Sequence, residues 1–364
     1  MPRHRDRFAS AVVVGLLLVA CGRAGAETDP SRNSPTGRES RVPTTNRPTP
    51  KTAPPRALAP VTFAFAGDIH FEGVLRSKLD ANPASVLASI APVLGSADLT
   101  VANLETAVTT RGIPQPKEYN FRAPPSALTA LAAGGIDVAS MANNHGMDYG
   151  RTGLADSILA SRSSGYPVVG IGRNSREAYS PHRVTLKGTR IAVFGATQVL
   201  DDHLIRSWTA TAGQPGLASA KDAARLAAAV RAARRTSDTV IVFLHWGSER
   251  MTCPTERQTR LARILVDAGA DIVVGGHAHR LQGAGRLGRG FVAYGLGNFA
   301  FYSPPGPAAE TGVLFVTAVG RRITDYRFAP AYIRSGSPVP LSGAEAEAAR
   351  ARWRNLRGCT DLAA

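Results

Sequence analysis

Five short polar blocks in this chain each follow an apolar run of strand character. Five of the eight histidines lie inside them, and the blocks read GDIH (67–70), ANLET (102–106), ANNHGMD (142–148), FLHWGSE (243–249) and GGHAHRLQ (275–282). Strands that end at the same edge of a sheet bring such side chains to a shared point. Clustered imidazole and carboxylate groups are typical ligands of transition-metal ions. The pattern therefore predicts a sheet that carries a metal site, with two ions bridged by a carboxylate.

Strand-like and helix-like segments alternate along the chain from residue 61 onward. Apolar residues at spacings of three and four predict helices at 84–94, 125–133, 150–164, 221–235 and 255–268. Apolar runs predict strands at 61–66, 99–102, 138–141, 190–194, 239–244 and 271–274. This alternation is typical of an α/β layered domain.

The segments after the last histidine block have a different pattern. Strands without intervening helices are expected at 290–296, 313–319 and 323–332, which predicts a second, partly antiparallel sheet. A terminal helix is expected at 344–356. The sequence shows no internal repeat, so one large domain at 61–335, followed by a C-terminal helix and tail at 336–364, is the simpler interpretation.

The N-terminal segment has the features of an export signal. Three arginines within residues 1–7 precede an apolar run at 11–20 that is too short to span a membrane, so residues 1–20 are predicted to be a signal peptide. The sequence LVAC ends at Cys21 and resembles a bacterial lipobox, which predicts lipidation of Cys21. Secretion with an incidental cysteine is the alternative. The expected location is the cell envelope, on the extracytoplasmic face of the bacterial membrane, through a lipid anchor.

Residues 21–60 are rich in Pro, Thr, Ser, Arg and Gly and contain almost no large apolar side chains. Such a segment buries too little apolar surface to offset the entropy lost on ordering. We therefore predict a disordered tether, which would let the domain stand away from the membrane surface.

Two cysteines remain after Cys21. They are Cys253 and Cys359, and an oxidising compartment would permit a disulfide between them. Such a bond would fix the C-terminal segment near the loop that follows His245. Two unpaired thiols are the alternative, because a sequence gives no Cα separation.

The formal net charge of the chain is +16 at pH 7. A positive field of this kind is consistent with an anionic substrate, an anionic lipid or an acidic polymer, and equally with an arginine-rich composition alone. The sequence contains no nucleic-acid-binding motif, and exported proteins rarely meet nucleic acid. We therefore expect no nucleic-acid partner.

Taken singly, the blocks also have structural interpretations. Asp68 and His70 are two residues apart in an extended segment and can face one ion, but an aspartate there is often a turn or capping residue. Glu105 could bridge two metals or be a surface carboxylate at a strand end. His277 and His279 favour a metal site more directly, because the preceding glycines allow close backbone approach.

The two remaining blocks have similar alternatives. One of the asparagines Asn143 and Asn144 would offer its side-chain carbonyl to a metal, and His145 would lie near a leaving group. Asp148 would orient His145 through the other ring nitrogen. The alternative for this block is a turn with a capping asparagine. His245 at the end of a buried strand could equally be a core histidine with satisfied hydrogen bonds.

The blocks together resemble two known patterns. The order Asp-x-His, carboxylate, Asn-His, His and Gly-His-x-His resembles the calcineurin-like metallophosphoesterase signature. ANLET, FRAPP (121–125), ANNHxxDYG, HWGxE, HxHxxQ (277–282) and YGLGNF (294–299) more closely resemble the CapA family of capsule or poly-γ-glutamate synthesis proteins. The chain departs from that family at Ala278, where proline is common, and at His70, where an apolar residue is common. The resemblance implies a metallophosphoesterase-like layered αββα sandwich with mixed sheets.

The resemblance also implies a cofactor and its ligands. Two divalent transition-metal ions (Mn, Fe or Zn) suit nitrogen and oxygen ligands without thiolate. The ligands of one ion would be Asp68, His70, Glu105 and His279. Those of the other would be Glu105, Asn144, His245 and His277, with Glu105 shared.

Further roles follow from the same resemblance. His145 would protonate the leaving oxygen or stabilise its charge, with Asp148 as the second catalytic residue. Arg122 and Asn298 are candidate substrate contacts.

Three functions remain open at this point. The first is a phosphoesterase-type hydrolase acting on a phosphoester substrate. The second is a component of anionic polymer synthesis or export, within a polymer-synthesis complex. The third is a non-catalytic polymer-binding lipoprotein that retains the fold. The ligand blocks are not degenerate, which favours the first two, and these two are compatible with each other.

Overall fold

The computed structural model describes residues 57–364. The predicted signal peptide, Cys21 and nearly all of the predicted tether lie outside the described residues. Residues Arg56–Ala364 belong to one compact unit. Within 57–364, no helix combines the length and the apolar character that crossing a bilayer requires.

The strands in chain order are β1 (Val61–Ile69), β2 (Leu99–Leu104), β3 (Ala107–Val108), β4 (Arg122–Ala123), β5 (Val138–Ser140), β6 (Val168–Val169), β7 (Ile171–Gly172), β8 (His182–Leu186), β9 (Thr189–Thr197), β10 (Gly216–Leu217), β11 (Thr239–His245), β12 (Ile272–Gly276), β13 (Ala284–Leu287), β14 (Gly290–Ala293), β15 (Asn298–Ala300), β16 (Glu310–Val319), β17 (Arg322–Arg334) and β18 (Ser337–Pro340).

The helices in chain order are α1 (Val74–Ala81), α2 (Ala91–Leu94), α3 (Ser126–Ala133), α4 (Gly150–Ser164), α5 (Ser175–Ala178), α6 (Ile205–Trp208), α7 (Ala223–Arg234), α8 (Glu256–Ala268) and α9 (Gly343–Asn355). The helix predicted at 84–94 is wrong, because this segment contains a 3₁₀ turn at Pro83–Ser85 and only the short α2. Pro92 lacks an N–H and is tolerated only in the first turn of a helix, so a helix through 84–94 is broken there.

The strands form two large mixed sheets. The first has the order β18-β17-β16-β1-β2-β5-β6, with β15 also pairing with β1, and the second has the order β13-β14-β12-β11-β9-β8. In the first sheet β1, β2, β5 and β6 are parallel, whereas β16 to β18 are antiparallel. In the second, β9, β11, β12 and β14 are parallel.

The sequence predicts that the C-terminal strands form a second sheet, and this prediction is wrong. β16 pairs antiparallel with β1, with Val61 opposite Ala318, so β16 to β18 extend the first sheet. β14 instead pairs parallel with β12 in the second sheet. The antiparallel character was predicted correctly, but the partner of β16 is the first strand of the domain, which lies far away in sequence.

The side-chain alternation of β1 shows how the layers form. Phe63 and Phe65 pack in the core between the two sheets, against residues of the second sheet such as Phe243. Ala64 and Ala66 point to the opposite face, which helices such as α3 and α4 cover. Helices α7 and α8 cover the outer face of the second sheet. The predicted αββα sandwich is thus confirmed, and each fully buried phenylalanine contributes roughly 1.5–3 kcal/mol of burial free energy.

The C-terminal segment is fixed to the sandwich at two points. The indole of Trp353 in α9 stacks on Phe328 of β17 with ring centroids 4.8 Å apart. Cys253 and Cys359 form a disulfide with Cα atoms 5.7 Å apart, which joins the loop after β11 to the turn after α9. The disulfide closes a long loop, because its cysteines are 106 residues apart in sequence.

We expect the Cys253→Ser/Cys359→Ser variant to lose about 2–5 kcal/mol of unfolding free energy, because the unfolded chain is no longer constrained by the crosslink. Urea unfolding of the oxidised protein and the variant measures this difference. The reduced wild-type protein serves as the control and should match the variant. Equal unfolding midpoints for the oxidised protein and the variant would contradict a stabilising role for this bond.

Candidate metal centre

The candidate ligands lie where the carboxyl ends of the parallel strands in both sheets meet. Asp68 is near the end of β1, Glu105 directly follows β2, and Asn144 follows β5. His245 ends β11, and His277 directly follows β12. The two sheets therefore bring the five blocks together at one point, as the sequence predicts.

Glu105 lies at the centre of this cluster of candidate ligands. Its side chain is fully buried, and neither carboxylate oxygen has a hydrogen-bond partner among residues 57–364. Oε1 lies 3.4 Å from His245 Nε2 and 3.9 Å from His145 Nε2. Burial, and next the charge of Asp68, raise the pKa of Glu105 well above its usual value. A buried carboxylate without hydrogen-bond partners is costly unless a cation or a proton compensates its charge.

Three groups of side chains in the described part of the chain could each hold a metal ion, with ligand atoms within 4.8 Å of one another. They are Glu105 with His245 and His277, Asp68 with Glu105 and His279, and Glu249 with His277 and His279. The first two groups share Glu105. His277 Nδ1 is also buried without a hydrogen-bond partner among the described residues. These unpartnered donor atoms fit divalent metal ions.

Hydrogen bonds around the centre orient the candidate ligands. Asn103 Nδ2 donates to Asp68 Oδ1 at 2.8 Å and lies 3.0 Å from His245 Nδ1. The backbone N–H of His277 donates to Asp68 Oδ2 at 2.8 Å. His245 Nε2 and Asn144 Oδ1 lie 2.6 Å apart, so these two predicted ligand atoms are already together. Such outer contacts hold ligand side chains in position for metal binding.

The backbone at the end of β12 comes close to the candidate ligands only because of a glycine and two unusual dihedral angles. A Cβ at Gly276 would lie 2.2 Å from Asp68 Oδ1, so only glycine fits there. His277 and His279 have φ values of 87° and 50°, in the left-handed region that non-glycine residues rarely adopt. Backbone strain of this kind costs about 1–3 kcal/mol per residue and is concentrated at functional sites.

His145 is held by Asp148 beside the centre, as the sequence predicts. The distance from His145 Nδ1 to Asp148 Oδ2 is 2.5 Å, and the phenyl ring of Phe121 stacks on the imidazole at 4.0 Å. The backbone N–H of Phe121 donates to Asp148 Oδ2 at 2.6 Å. Burial raises the pKa of Asp148 to about 7, and burial lowers the pKa of His145.

Lys117 is a residue of this site that the sequence did not reveal. Its side chain is only 8% exposed, and Nζ donates to Asp148 Oδ1 at 2.9 Å and to the carbonyl oxygen of Asn144. The ammonium group also lies over the ring of Trp208, 5.4 Å from its centroid. Lys117 lies in the loop between β3 and β4, where no periodicity or ligand spacing distinguishes it from a surface lysine.

His70 does not join the ligand groups, contrary to the sequence-based expectation. Nδ1 accepts the backbone N–H of Glu72 at 2.9 Å, and the N–H of Tyr302 faces Nε2 at 3.3 Å. The imidazole packs among the rings of Phe121, Phe301 and Tyr302. The expectation assumed a regular strand, but the pairing register of β1 shifts on both sides of Asp68. Such a bulge redirects the following side chains.

The two predicted substrate contacts have different surroundings. Asn298 is buried, and its amide is engaged by the protein: Oδ1 lies 2.7 Å from His279 Nδ1, and Nδ2 donates to Ser303 Oγ and the carbonyl oxygen of Ala308. Asn298 therefore orients His279 and has no free donor for a substrate. The Arg122 guanidinium lies over the ring of Tyr149 at 4.8 Å, and its role as a substrate contact stays a prediction.

Glu249 is the last residue of the FLHWGSE block. In the structure it is exposed, in the loop after β11, and it completes a candidate group with His277 and His279. Its carboxylate therefore lies on the solvent side of the centre.

Comparisons with known proteins give the family. The family model described as bacterial capsule synthesis protein PGA_cap matches residues 62–303. The capsule biosynthesis protein CapA of Bacillus anthracis is 31% identical over 268 residues, 71% of this chain and 64% of that protein. The PGA biosynthesis protein CapA of Bacillus subtilis (strain 168) is 30% identical over 247 residues, 66% of this chain and 63% of that protein.

The chain thus spans a little under two thirds of the length of these relatives. A solved structure described as a novel phosphatase, from Mycoplasma pneumoniae, has a TM-score of 0.46 at 12% identity and covers 76% of this chain and 94% of its own. A likeness at that level carries no conclusion about activity. The family match spans well over half of the sequence and all five polar blocks, and the chain belongs to the bacterial capsule synthesis protein PGA_cap family.

Proposed function

We propose that this protein is a metal-dependent, phosphoesterase-type hydrolase of the cell envelope that acts in the synthesis of a capsule or poly-γ-glutamate-like polymer. The observation that carries the proposal is Glu105, a fully buried carboxylate that has no hydrogen bond to any residue of 57–364 and belongs to two candidate ligand groups. A carboxylate shared by two ligand groups can hold two ions side by side, which suits a two-metal hydrolase.

The proposed cofactor is a pair of divalent ions, Mn, Fe or Zn. The ligands of the first ion are Asp68, Glu105 and His279. The ligands of the second are Glu105, Asn144, His245 and His277. Bound there, the ions supply Lewis-acid polarisation of a phosphoryl oxygen and a lowered pKa for water.

His145 is the proposed general acid. With Nδ1 held by Asp148, its Nε2 faces the space beside Glu105 and can donate a proton to a leaving oxygen or stabilise the charge that develops there. Lys117 holds the other oxygen of Asp148, so that Oδ2 stays directed at the imidazole. Phe121 limits the rotation of the imidazole by stacking on its face.

The proposed setting combines the family with the export features of the sequence. The relatives bear the names of capsule and PGA biosynthesis proteins, which supports an anionic polymer as substrate or product and a polymer-synthesis complex as partner. The predicted signal peptide and the lipidation of Cys21 would anchor the domain on the extracytoplasmic face of the membrane. The positive net charge suits a polyanion.

A non-catalytic polymer-binding or export lipoprotein that retains the fold is the second candidate. The observation in its favour is the position of His70, which is not part of the described ligand groups and leaves the first ion with three protein ligands. Metal without turnover would be the result that selects this function.

We expect the purified protein to retain two equivalents of Mn²⁺ or Zn²⁺ after dialysis, and Glu105→Gln to lose at least one, because it removes the shared negative ligand. Elemental analysis by mass spectrometry measures the stoichiometry. His277→Ala should lose one equivalent, the ion that His277 is proposed to hold together with Glu105, Asn144 and His245. His182→Ala is the matched control, since His182 lies on the edge strand β8 and should leave two equivalents bound. Trace metal in the wild-type protein would refute the dinuclear site.

We expect His145→Ala to lower kcat for phosphoester hydrolysis by about 10²–10⁴-fold with metal content unchanged, because it removes the proton donor. Lys117→Met should also lower kcat at unchanged KM, and Lys117→Arg should restore part of it. Steady-state assays with aryl phosphomonoesters and phosphodiesters measure both effects. His182→Ala and Lys221→Met are the controls. Turnover of the wild-type protein that His145→Ala leaves intact would contradict this role.

A further inference from the structure

A second charged site lies at the opposite end of β12 from the metal centre. It is a cavity of about 780 Å³ whose lining includes Arg234, Arg263, Arg289 and Arg321, and we call it the arginine cavity. Asp271, which binds two of these arginines, directly precedes β12, and His277 of the metal centre follows the same strand. Six residues of extended chain separate the two sites by about 20 Å.

Two of the four arginines are engaged mainly by the protein. Asp271 is fully buried and pairs with Arg234, whose other terminal nitrogen donates to the carbonyl oxygen of Ser237. Arg263 pairs with Asp361 at 2.8 Å. These contacts hold the wall of the cavity in place and leave little donor capacity on Arg234 for a ligand.

The other two arginines have donors available. Arg321 uses only Nε, which contacts Asp271 at 3.1 Å, and its two terminal nitrogens have no partner among residues 57–364. Arg289 makes no ion pair or hydrogen bond with any other described residue, and it is exposed in the turn between β13 and β14. Asp267 is the one acidic residue in the lining, so positive charge predominates. Paired guanidinium groups with free donors bind phosphate and carboxylate oxygens.

The described chain begins at this same end. A Cβ at Gly320 would lie 2.9 Å from Leu58 Cδ1, so Leu58 packs beside the turn that carries Arg321. The first described residues therefore lie next to the arginine cavity. The metal centre, at the other end of the strands, would remain open if this end lay against a surface.

We propose that the arginine cavity is a membrane-docking site that takes the phosphate of an anionic phospholipid headgroup. Arg289 and Arg321 bind the phosphate oxygens, and the surrounding positive charge draws the domain to the anionic bilayer surface, where each basic residue adds to the attraction. Docking in this way directs the metal centre away from the membrane. The proposal requires neither catalysis nor the lipid anchor.

The test uses the chain from residue 21 onward with Cys21→Ser, so that neither the predicted signal peptide nor a lipid is attached, and measures co-sedimentation with phosphatidylglycerol-containing and pure phosphatidylcholine vesicles. We expect at least tenfold tighter binding to the anionic vesicles, weakening as salt is raised. Arg289→Glu should abolish most of that preference. Arg206→Glu is the matched control, because Arg206 is exposed on α6, whose Trp208 contacts Lys117 at the metal-centre end.

Three results would overturn the proposal. One is equal binding to both kinds of vesicle. Another is an equal loss of the anionic preference in Arg289→Glu and Arg206→Glu, which would indicate net charge alone. The third is Arg289-dependent binding of inorganic phosphate by the metal-depleted protein without vesicle binding, which would assign the cavity to a soluble anion. The urea unfolding midpoint, measured on the same samples, verifies that the variants remain folded.

Discussion

The burial of the Glu105 carboxylate is the constraint on which the rest of the site depends. Both oxygens lie inside the protein without a hydrogen bond from the described residues, close to a second carboxylate at Asp68. An uncompensated buried charge costs several kcal/mol, which is a large part of the stability of an ordinary domain. A fold retains such a group where a cation offsets the cost, and the imidazoles of His245, His277 and His279 surround the place where cations would bind.

The sandwich supports this arrangement by bringing two sheets together at their carboxyl ends. β1 and β2 carry the carboxylates, and β11 and β12 carry the histidines. The core between the sheets sets the distance between these two sets of groups. Gly276 permits the close approach of β12 to Asp68, and the strained backbone at His277 and His279 aims their rings at the same point. The free energy gained by packing the core therefore offsets the free energy cost of the strained backbone at His277 and His279.

Much of the fold and the site could be predicted from the sequence, for identifiable reasons. Helix α4 has apolar residues at helical spacing, the strands near the site are continuous apolar runs, and His145 and Asp148 lie close in sequence. The sequence could not place His70 correctly, because a bulge in β1 is invisible in its residue pattern. It could not reveal Lys117, whose burial comes from long-range contacts with Asp148 and Trp208. The sheet to which β16 belongs was also predicted wrongly, because β16 pairs with β1, a strand that lies about 250 residues earlier in the sequence.

The unfolding free energy of Glu105→Gln, with and without metal, tests the central claim most directly. In chelator the variant should be more stable than the wild-type protein by about 1–3 kcal/mol, because a neutral amide replaces a buried charge. Mn²⁺ at about 100 times its Kd should stabilise the wild-type protein by about 2.7 kcal/mol for each ion bound and the variant by much less, which reverses the order. A variant that is less stable in chelator and gains as much from Mn²⁺ would contradict the account.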